Sequence, residues 1–165
     1  MDGALGFNTF EKQDKVLVGL NGGMDAAVTV RILQEQGFAV QAALVHFAGM
    51  ADDAVETAQN AAKALDVPLH VIEAADTAAD ELLKFQLLMQ TADKLDCRFI
   101  STGHYARVEQ DADVCRLRVP EYAECDHTAL LEVMPQEILA RLILPLGEFD
   151  KESVQEIAQD IGCAE

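Results

Sequence analysis

Short apolar runs recur along the first part of the chain, separated by longer segments of a different periodicity. The runs cover residues 16–20, 39–47, 69–72 and 97–101. Continuous apolar stretches of this length are typical of parallel strands that are covered on both faces. The pattern therefore predicts four buried strands.

The segments between these runs carry apolar residues at helical spacing. They predict a helix over residues 25–36 that Gly37 ends, a second helix that Asp52 caps and that ends before Pro68, and a third over residues 80–95. Strands that alternate with helices in this way form a parallel sheet with helices on both faces. We therefore predict a Rossmann-like α/β domain.

Beyond residue 104 the alternation stops. Residues 105–110 and 114–119 flank a polar turn, which predicts a hairpin. Two helical segments follow, over residues 135–142 and 151–161, with Asp150 as an N-cap and Gly162 as a stop. We expect a small hairpin and a helical C-terminal extension.

The charge balance limits the partners of the chain. It has 29 acidic and 12 basic residues, a net charge of −17. Binding to a nucleic acid depends on Lys and Arg that neutralise phosphates, so we expect that a long polyanion such as RNA is not bound by this chain alone. The only locally basic stretch, residues 98–118, has four arginines, and it is thin for a long nucleic acid.

Cysteine spacing and hydropathy argue against several kinds of site and segment. The cysteines at positions 97, 115, 125 and 163 form no C-x-x-C pair, so neither a zinc knuckle nor a dithiol redox motif is indicated. No apolar run approaches the ~18 residues of a membrane span, and the N-terminus has no signal-peptide pattern. We expect a soluble, cytoplasmic protein that does not bind membranes.

The junction between the first strand and the first helix is the leading candidate site. It reads Leu-Asn-Gly-Gly-Met-Asp over residues 20–25. Paired glycines allow close backbone approach to an anion, and free N–H groups at a helix start attract phosphate. The loop also fits a simple tight turn, because neither common Gly-rich phosphate motif is present. His104, after the fourth strand, is open to a structural reading as well.

The chain nevertheless resembles a known superfamily at several points. Residues 18–27, Val-Gly-Leu-Asn-Gly-Gly-Met-Asp-Ala-Ala, resemble the S-G-G-x-D-S pyrophosphate loop of the PP-loop ATPases. Three further segments are similar, in order, to the tRNA-specific 2-thiouridylases (the MnmA/TrmU family). They are Ser-Thr-Gly-His-Tyr-Ala-Arg-Val (101–108), Asp-His-Thr-Ala-Leu-Leu (126–131) with Met-Pro-Gln-Glu-Ile-Leu (134–139), and Leu-Pro-Leu-Gly-Glu-Phe (144–149).

This resemblance implies an adenine nucleotide alpha hydrolase-like fold and a nucleotide, ATP or AMP with Mg²⁺, at the carboxyl edge of the sheet. The implied regions are an N-terminal tail (1–14), a PP-loop nucleotide-binding domain (15–125) and a helical extension (126–165). Asp25 would hold the metal. The implied nucleotide-binding residues are Asn21, Gly22, Gly23, Asp25 and Ala26 at the phosphates, Leu44 and Val45 near the adenine, and Gly103, His104 and Arg107 across the crevice.

The chain departs from the family pattern in ways that bear on chemistry. Asn21 stands at the first loop serine, and Ala26 and Ala27 stand at the serine pair. In the family a cysteine persulfide delivers sulfur to tRNA uridine after ATP has adenylated the base. No cysteine lies between Ile72 and Lys84, where the first catalytic cysteine is expected, and the second is expected beyond Glu165.

Three functions follow from these features. The first is a degenerate PP-loop domain that binds an adenine nucleotide but cannot thiolate tRNA alone, with no catalytic residue of its own and a possible protein partner. The second is an ATP-dependent adenylating subunit of a tRNA sulfurtransferase that acts with a partner chain. The third is a non-catalytic protein-interaction module. Whether the chain is an enzyme stays open at this point.

Overall fold

A computed structural model describes residues 14–20, 23–47, 50, 52–74, 81–122 and 126–162. The first half alternates strand and helix as predicted: β1 (Lys15–Gly19), α1 (Met24–Glu35), β2 (Ala39–Phe47), α2 (Ala54–Leu65), β3 (Leu69–Ala74), α3 (Glu81–Lys94) and β4 (Phe99–Ser101). The second half contains β5 (Arg107–Asp111), β6 (Val114–Arg118), α4 (Thr128–Leu131), α5 (Gln136–Leu139), β7 (Leu142–Ile143), a 3₁₀ turn (Pro145–Glu148) and α6 (Lys151–Asp160).

The main sheet has five parallel strands in the order β3-β2-β1-β4-β7. Chain order reverses at β1, because β2 pairs on one side of it and β4 on the other. In open parallel sheets such a switch point opens a crevice at the carboxyl ends of the strands. The predicted Rossmann-like α/β fold, with its separate hairpin of β5 and β6, is confirmed.

Alternate residues of β1 supply the two halves of the core. Leu17 packs with Phe85 and Leu88 of α3, in a cluster that also includes the hairpin and the short helices α4 and α5. Val16 and Val18 point to the opposite face and pack with α1 and α2. This two-residue periodicity explains why the strand is apolar throughout, since both faces of the sheet are covered.

Local signals define several helix ends. Gly37 follows α1 at φ +98°, a conformation that favours glycine, and Gly162 follows α6 at φ +76°. The Asp150 side chain caps α6 by accepting a hydrogen bond from the backbone N–H of Ser153 at 2.9 Å. The cap of α2 was predicted one residue too early, because Asp53, not Asp52, is its N-cap residue and makes no side-chain capping bond.

The C-terminal extension is built differently from its prediction. A helix was expected over residues 135–142, but α5 ends at Leu139 and Leu142 begins β7, which pairs with β4. The expectation for Leu142 was wrong because a strand of only two residues leaves no periodicity to read. Residues beyond 125 thus supply a strand of the main sheet, and α6 packs on α1 through Val154 and Ala158.

Within the described part of the chain, no helix is both long enough and apolar enough to cross a membrane.

Candidate functional site

A cavity of about 540 Å³ opens at the carboxyl ends of β1, β2 and β4, beside the start of α1. The residues that line it come from the ends of these strands and from α1, α3 and α6, among other segments. They are Gly19, Leu20, Gly23, Met24, Asp25, Ala26, Ala43, Leu44, Val45, Phe47, Met50, Lys84, Phe85, Leu88, Thr102, Gly103, His104, His127 and Lys151. The switch point at β1 therefore coincides with this cavity.

Asp25, in the first turn of α1, lies at the centre of a small polar cluster. Its Oδ1 accepts a hydrogen bond from the phenolic hydroxyl of Tyr105 at 2.9 Å. The Lys151 ammonium donates to Oδ1 at 3.0 Å and to Oδ2 at 3.2 Å. Carboxylate, phenol and ammonium come from three distant segments, so the cluster ties the helix start to the loop after β4 and to α6.

The fold fixes the two donors in this cluster. Tyr105 is 1% exposed and packs with residues of α1 and α6, which holds its hydroxyl against Asp25. Lys151 is the first residue of α6, directly after the capping Asp150, and its Nζ lies 5.2 Å from the centre of the Tyr105 ring. An ammonium over an aromatic face is held by the ring quadrupole as well as by the carboxylate.

Glycine is required at position 103 by a close approach of two backbones. A Cβ there would lie 2.8 Å from the backbone nitrogen of Ala26 and 2.9 Å from the carbonyl carbon of Asp25. The loop after β4 therefore packs directly on the first turn of α1. This contact closes one side of the cavity and brings the neighbouring His104 to its wall.

Two histidines form the wall next to Tyr105. The Nδ1 of His104 lies 2.7 Å from the Thr102 hydroxyl, and the Nδ1 of His127 accepts a hydrogen bond from the backbone N–H of Tyr105 at 3.1 Å. Their rings meet edge to face, with centroids 5.6 Å apart. Since the accepting Nδ1 carries no proton, neutral His127 has its proton on Nε2.

Burial lowers the pKa of His127, and the nearby His104 and Lys151 lower it further, while Asp25 and Asp126 act in the opposite direction. The neutral form is therefore favoured near pH 7. Neutral His127 keeps the bond to Tyr105 intact, because a protonated Nδ1 could not accept it.

The other side of the cavity is apolar. Leu44 and Phe47 of β2 are almost fully buried, as are Phe85 and Leu88 of α3. The Nζ of Lys84, also on α3, lies 5.9 Å from the centre of the Phe47 ring. A ligand in this cavity would meet hydrocarbon on one side and the charged cluster around Asp25 on the other.

The structure places most of the predicted site residues together. Gly23, Asp25, Ala26, Leu44, Val45, Gly103 and His104 all line the cavity. Arg107 does not, because its Nε donates to the carbonyl of Val119 at 2.9 Å. Asn21 and Gly22 lie outside the described residues. The role of each residue in binding stays a prediction.

Sequence reasoning missed Lys151, Lys84 and His127. Lys151 lies 126 positions from the aspartate that it contacts, so no local pattern could pair them. The available signal was the family-like Pro-Leu-Gly-Glu segment, which directly precedes the residues that begin α6. Lys84 sits in a helix whose period indicated only a core face.

Neither of the two cysteines within the described ranges reaches this cavity. Cys97 and Cys115 are both free and buried. Burial raises the pKa of the Cys97 thiol, which disfavours the reactive thiolate. Cys125 and Cys163 lie outside the described residues.

Matches to known proteins cover most of the chain. The family model described as "tRNA methyl transferase HUP domain" matches residues 14–82 and 74–164. The chain is 30% identical over 185 residues to tRNA-specific 2-thiouridylase MnmA of Clostridium botulinum (91% of this chain, 51% of the relative). It is 32% identical over 183 residues to the Treponema denticola protein of the same name (90% and 50%). The chain thus spans about half the length of these curated relatives.

Two solved structures share the fold. One is described as a 4-thiouridine synthetase–RNA complex with bound ATP, with a TM-score of 0.68, 18% identity, and coverage of 91% of this chain and 41% of that one. The other is described as a predicted subunit of tRNA methyltransferase from Methanocaldococcus jannaschii, with a TM-score of 0.52, 20% identity, and coverage of 89% and 76%.

Proposed function

Because this chain belongs to the family of tRNA methyl transferase HUP domains, we propose that its cavity binds an adenine nucleotide. The observation that carries the proposal is the pairing of a helix start and two lysines with an apolar wall in one cavity. A nucleotide needs both halves, one for its phosphates and one for its base. The structural neighbour with bound ATP supports this choice, because it has the same fold.

The phosphates would lie at the start of α1. Gly23, which lines the cavity, is its N-cap residue in extended conformation, and the first N–H groups of a helix have no intrahelical partner. Lys84 and Lys151 add two ammonium groups from α3 and α6. Asp25 offsets one of the two lysine charges, so the cavity carries one net positive charge in a chain whose net charge is −17, and this local excess favours an anion.

The base would lie against the end of β2. Leu44, Val45 and Phe47 line the cavity there, and Phe85 and Leu88 face them from α3. Apolar side chains with a few polar groups are typical of a nucleobase pocket. Of these residues, Leu44 and Val45 were predicted to lie near the adenine.

We infer that this domain serves tRNA modification but does not transfer sulfur by itself. The similarity to 2-thiouridylases supports the first part. The second rests on the absence of a cysteine between Ile72 and Lys84 and on the finding that neither Cys97 nor Cys115 lines the cavity. A protein partner that supplies the thiol would complete the reaction in the cytoplasm.

Stand-alone binding of tRNA is not favoured by the hairpin. Arg116 lies 3.6 Å from Asp111, and Arg118 lies 3.2 Å from Glu109, so each of these arginines already faces a carboxylate. We expect no electrophoretic shift of tRNA by this chain at physiological salt. A shift at micromolar protein would contradict that expectation.

The test of nucleotide binding uses one helix with two lysines. Lys84 lies at the cavity, whereas Lys94 is an exposed residue in the last turn of the same helix. By calorimetric titration with ATP in the presence of Mg²⁺, we expect Lys84→Met to weaken binding about tenfold, as for loss of one charged hydrogen bond. Lys94→Met should leave it unchanged.

Either of two results would count against the proposal. Absence of ATP binding to the unaltered chain at millimolar concentration would favour the interaction-module alternative. Equal effects of the two substitutions would place the nucleotide elsewhere. Release of pyrophosphate from ATP when a uridine-containing RNA is added would instead favour the adenylating-subunit alternative.

A further inference from the structure

We infer that this cavity takes its nucleotide without a divalent cation at Asp25, because the Lys151 ammonium occupies the position that the cation would need. The inference rests on the proposed nucleotide function and changes its chemistry. It also runs against the expectation, drawn from family resemblance, that Asp25 holds Mg²⁺.

The Asp25 carboxylate already has its donors. Lys151 Nζ lies 3.0 Å from Oδ1 and 3.2 Å from Oδ2, so the ammonium spans both oxygens. Tyr105 donates to Oδ1 as well, at 2.9 Å. Oδ1 thus accepts two hydrogen bonds, and the negative charge of the carboxylate is balanced by a cation in direct contact.

Magnesium makes different demands on a site. It needs oxygen ligands at about 2.0–2.1 Å in octahedral arrangement, and proteins usually supply one or two carboxylates besides the phosphates of the substrate. Among the described residues, Asp25 is the one carboxylate that lines the cavity, and no group of three or more His, Cys, Asp or Glu could hold a metal. A Mg²⁺ bound to Oδ1 or Oδ2 would lie beside the ammonium and repel it.

The position of Lys151 is built into the fold and does not depend on a flexible surface contact. Asp150 caps the helix that Lys151 begins, and Val154 and Ala158 of that helix are fully buried against α1. Asp25 belongs to α1 itself. The two partners therefore stand on elements packed against each other, and the Tyr105 ring supports the ammonium from a third element.

An ammonium can serve a phosphate and a carboxylate together. Lys carries three rotatable donors on a compact charge, so Lys151 can keep its bond to Asp25 while it donates to an incoming phosphate oxygen. Lys84 adds a second positive charge at the same cavity. The charge that Mg²⁺ contributes in other nucleotide sites is supplied here by side chains.

The experiment is an ATP titration by calorimetry in two buffers, one with 5 mM MgCl₂ and one with 5 mM EDTA. We expect dissociation constants within about threefold of each other for the unaltered chain. Lys151→Met should weaken binding in EDTA by about tenfold or more and make the remaining affinity rise with added Mg²⁺, because Asp25 is then uncovered. Lys151→Arg keeps the charge and should stay independent of Mg²⁺, and Lys94→Met is the matched control.

The outcomes separate the two proposals. Binding that is at least tenfold stronger in Mg²⁺ than in EDTA overturns this inference and leaves the nucleotide function standing. No binding in either buffer rejects the nucleotide function and this inference with it. The comparison of the two buffers uses the unaltered chain, so it decides the question even if Lys151→Met does not fold.

Discussion

Two basic residues of the C-terminal third, Arg141 and Lys151, tie it to the first half of the chain in contrasting ways. Arg141 donates from Nε to the carbonyl of Arg98, from Nη2 to the carbonyl of Cys97 and from Nη1 to Asp93. Lys151 instead contacts the Asp25 carboxylate at the cavity that opens at the carboxyl ends of the strands. The planar fork of arginine suits fixed carbonyls, whereas an ammonium can redistribute its donors between acceptors.

The difference in contacts indicates that Arg141 stabilises the fold, whereas the Lys151 ammonium is placed at the cavity. Arg141 satisfies two backbone oxygens just before β4, where the sheet needs its register, so its contribution is structural. Lys151 pairs with a side chain, and both it and Asp25 are about one-third exposed. Four measurements test this difference between Arg141 and Lys151 and the contacts around Asp25.

The largest expected effect is that of Arg141→Met on stability. The substitution removes three hydrogen bonds and leaves the carbonyls of Arg98 and Cys97 without that donor, which should lower the free energy of unfolding by about 2–3 kcal/mol. Urea denaturation measures it. Arg116→Met, a control on the exposed hairpin, should change it by less than about 0.5 kcal/mol. Equal losses for both variants would remove the structural role assigned to Arg141.

The next effect concerns the phenol that supports Asp25. Tyr105→Phe deletes a hydroxyl on a fully buried ring, and we expect a loss of about 1 kcal/mol in the free energy of unfolding. The other tyrosine of the chain, Tyr122, is 43% exposed and provides the control, since Tyr122→Phe should be nearly neutral. A neutral Tyr105→Phe would mean that the hydroxyl bond adds nothing to stability.

A smaller effect is expected for Lys151→Met on stability. A partly exposed ion pair contributes only about 0–1 kcal/mol, so the denaturation midpoint should move little even though ATP binding in EDTA weakens. This is the reverse of the Arg141→Met result. If Lys151→Met lowered the free energy of unfolding by more than about 2 kcal/mol, Lys151 would have a structural role like that of Arg141.

The smallest effect is a pH dependence from His127. Its pKa in the folded chain is lowered, so the unfolded chain takes up a proton first, and stability falls as pH drops below about 6.5. Thermal melts between pH 7.5 and 5.5 should show this decline. His127→Gln keeps a polar side chain without a titration in this range and should flatten that part of the curve. An unchanged profile would assign the decline to other groups.

The sequence predicted the sheet better than the site, for reasons visible in particular residues. The bounds of β2 were predicted correctly because nine apolar-rich residues lie between clear breaks. The strand β7 was missed because two residues are too few to show a periodicity in hydrophobic positions. Arg107 was expected across the crevice, but its Nε donates to the carbonyl of Val119, the residue that follows β6. This contact depends on the pairing of β5 with β6, which a local pattern does not show.

Pairs that are distant in the chain limit what local patterns can show. The glycine loop and Asp25 were recognised because they lie within one short segment. Lys151, by contrast, reaches Asp25 only because α6 packs on α1. The resemblance to a family located the edge of the sheet. It could not show that an ammonium spans the carboxylate there.

The central place of β1 in the sheet has a consequence for synthesis of the chain on the ribosome. β1 is paired on one side by β2 and on the other by β4, and β4 is then paired by β7, the last strand among the described residues. Parallel pairings over such separations form slowly. The helix start at Gly23 emerges early, whereas Lys151 emerges only after β7. Nascent chains can therefore form most of the sheet before Lys151 reaches Asp25.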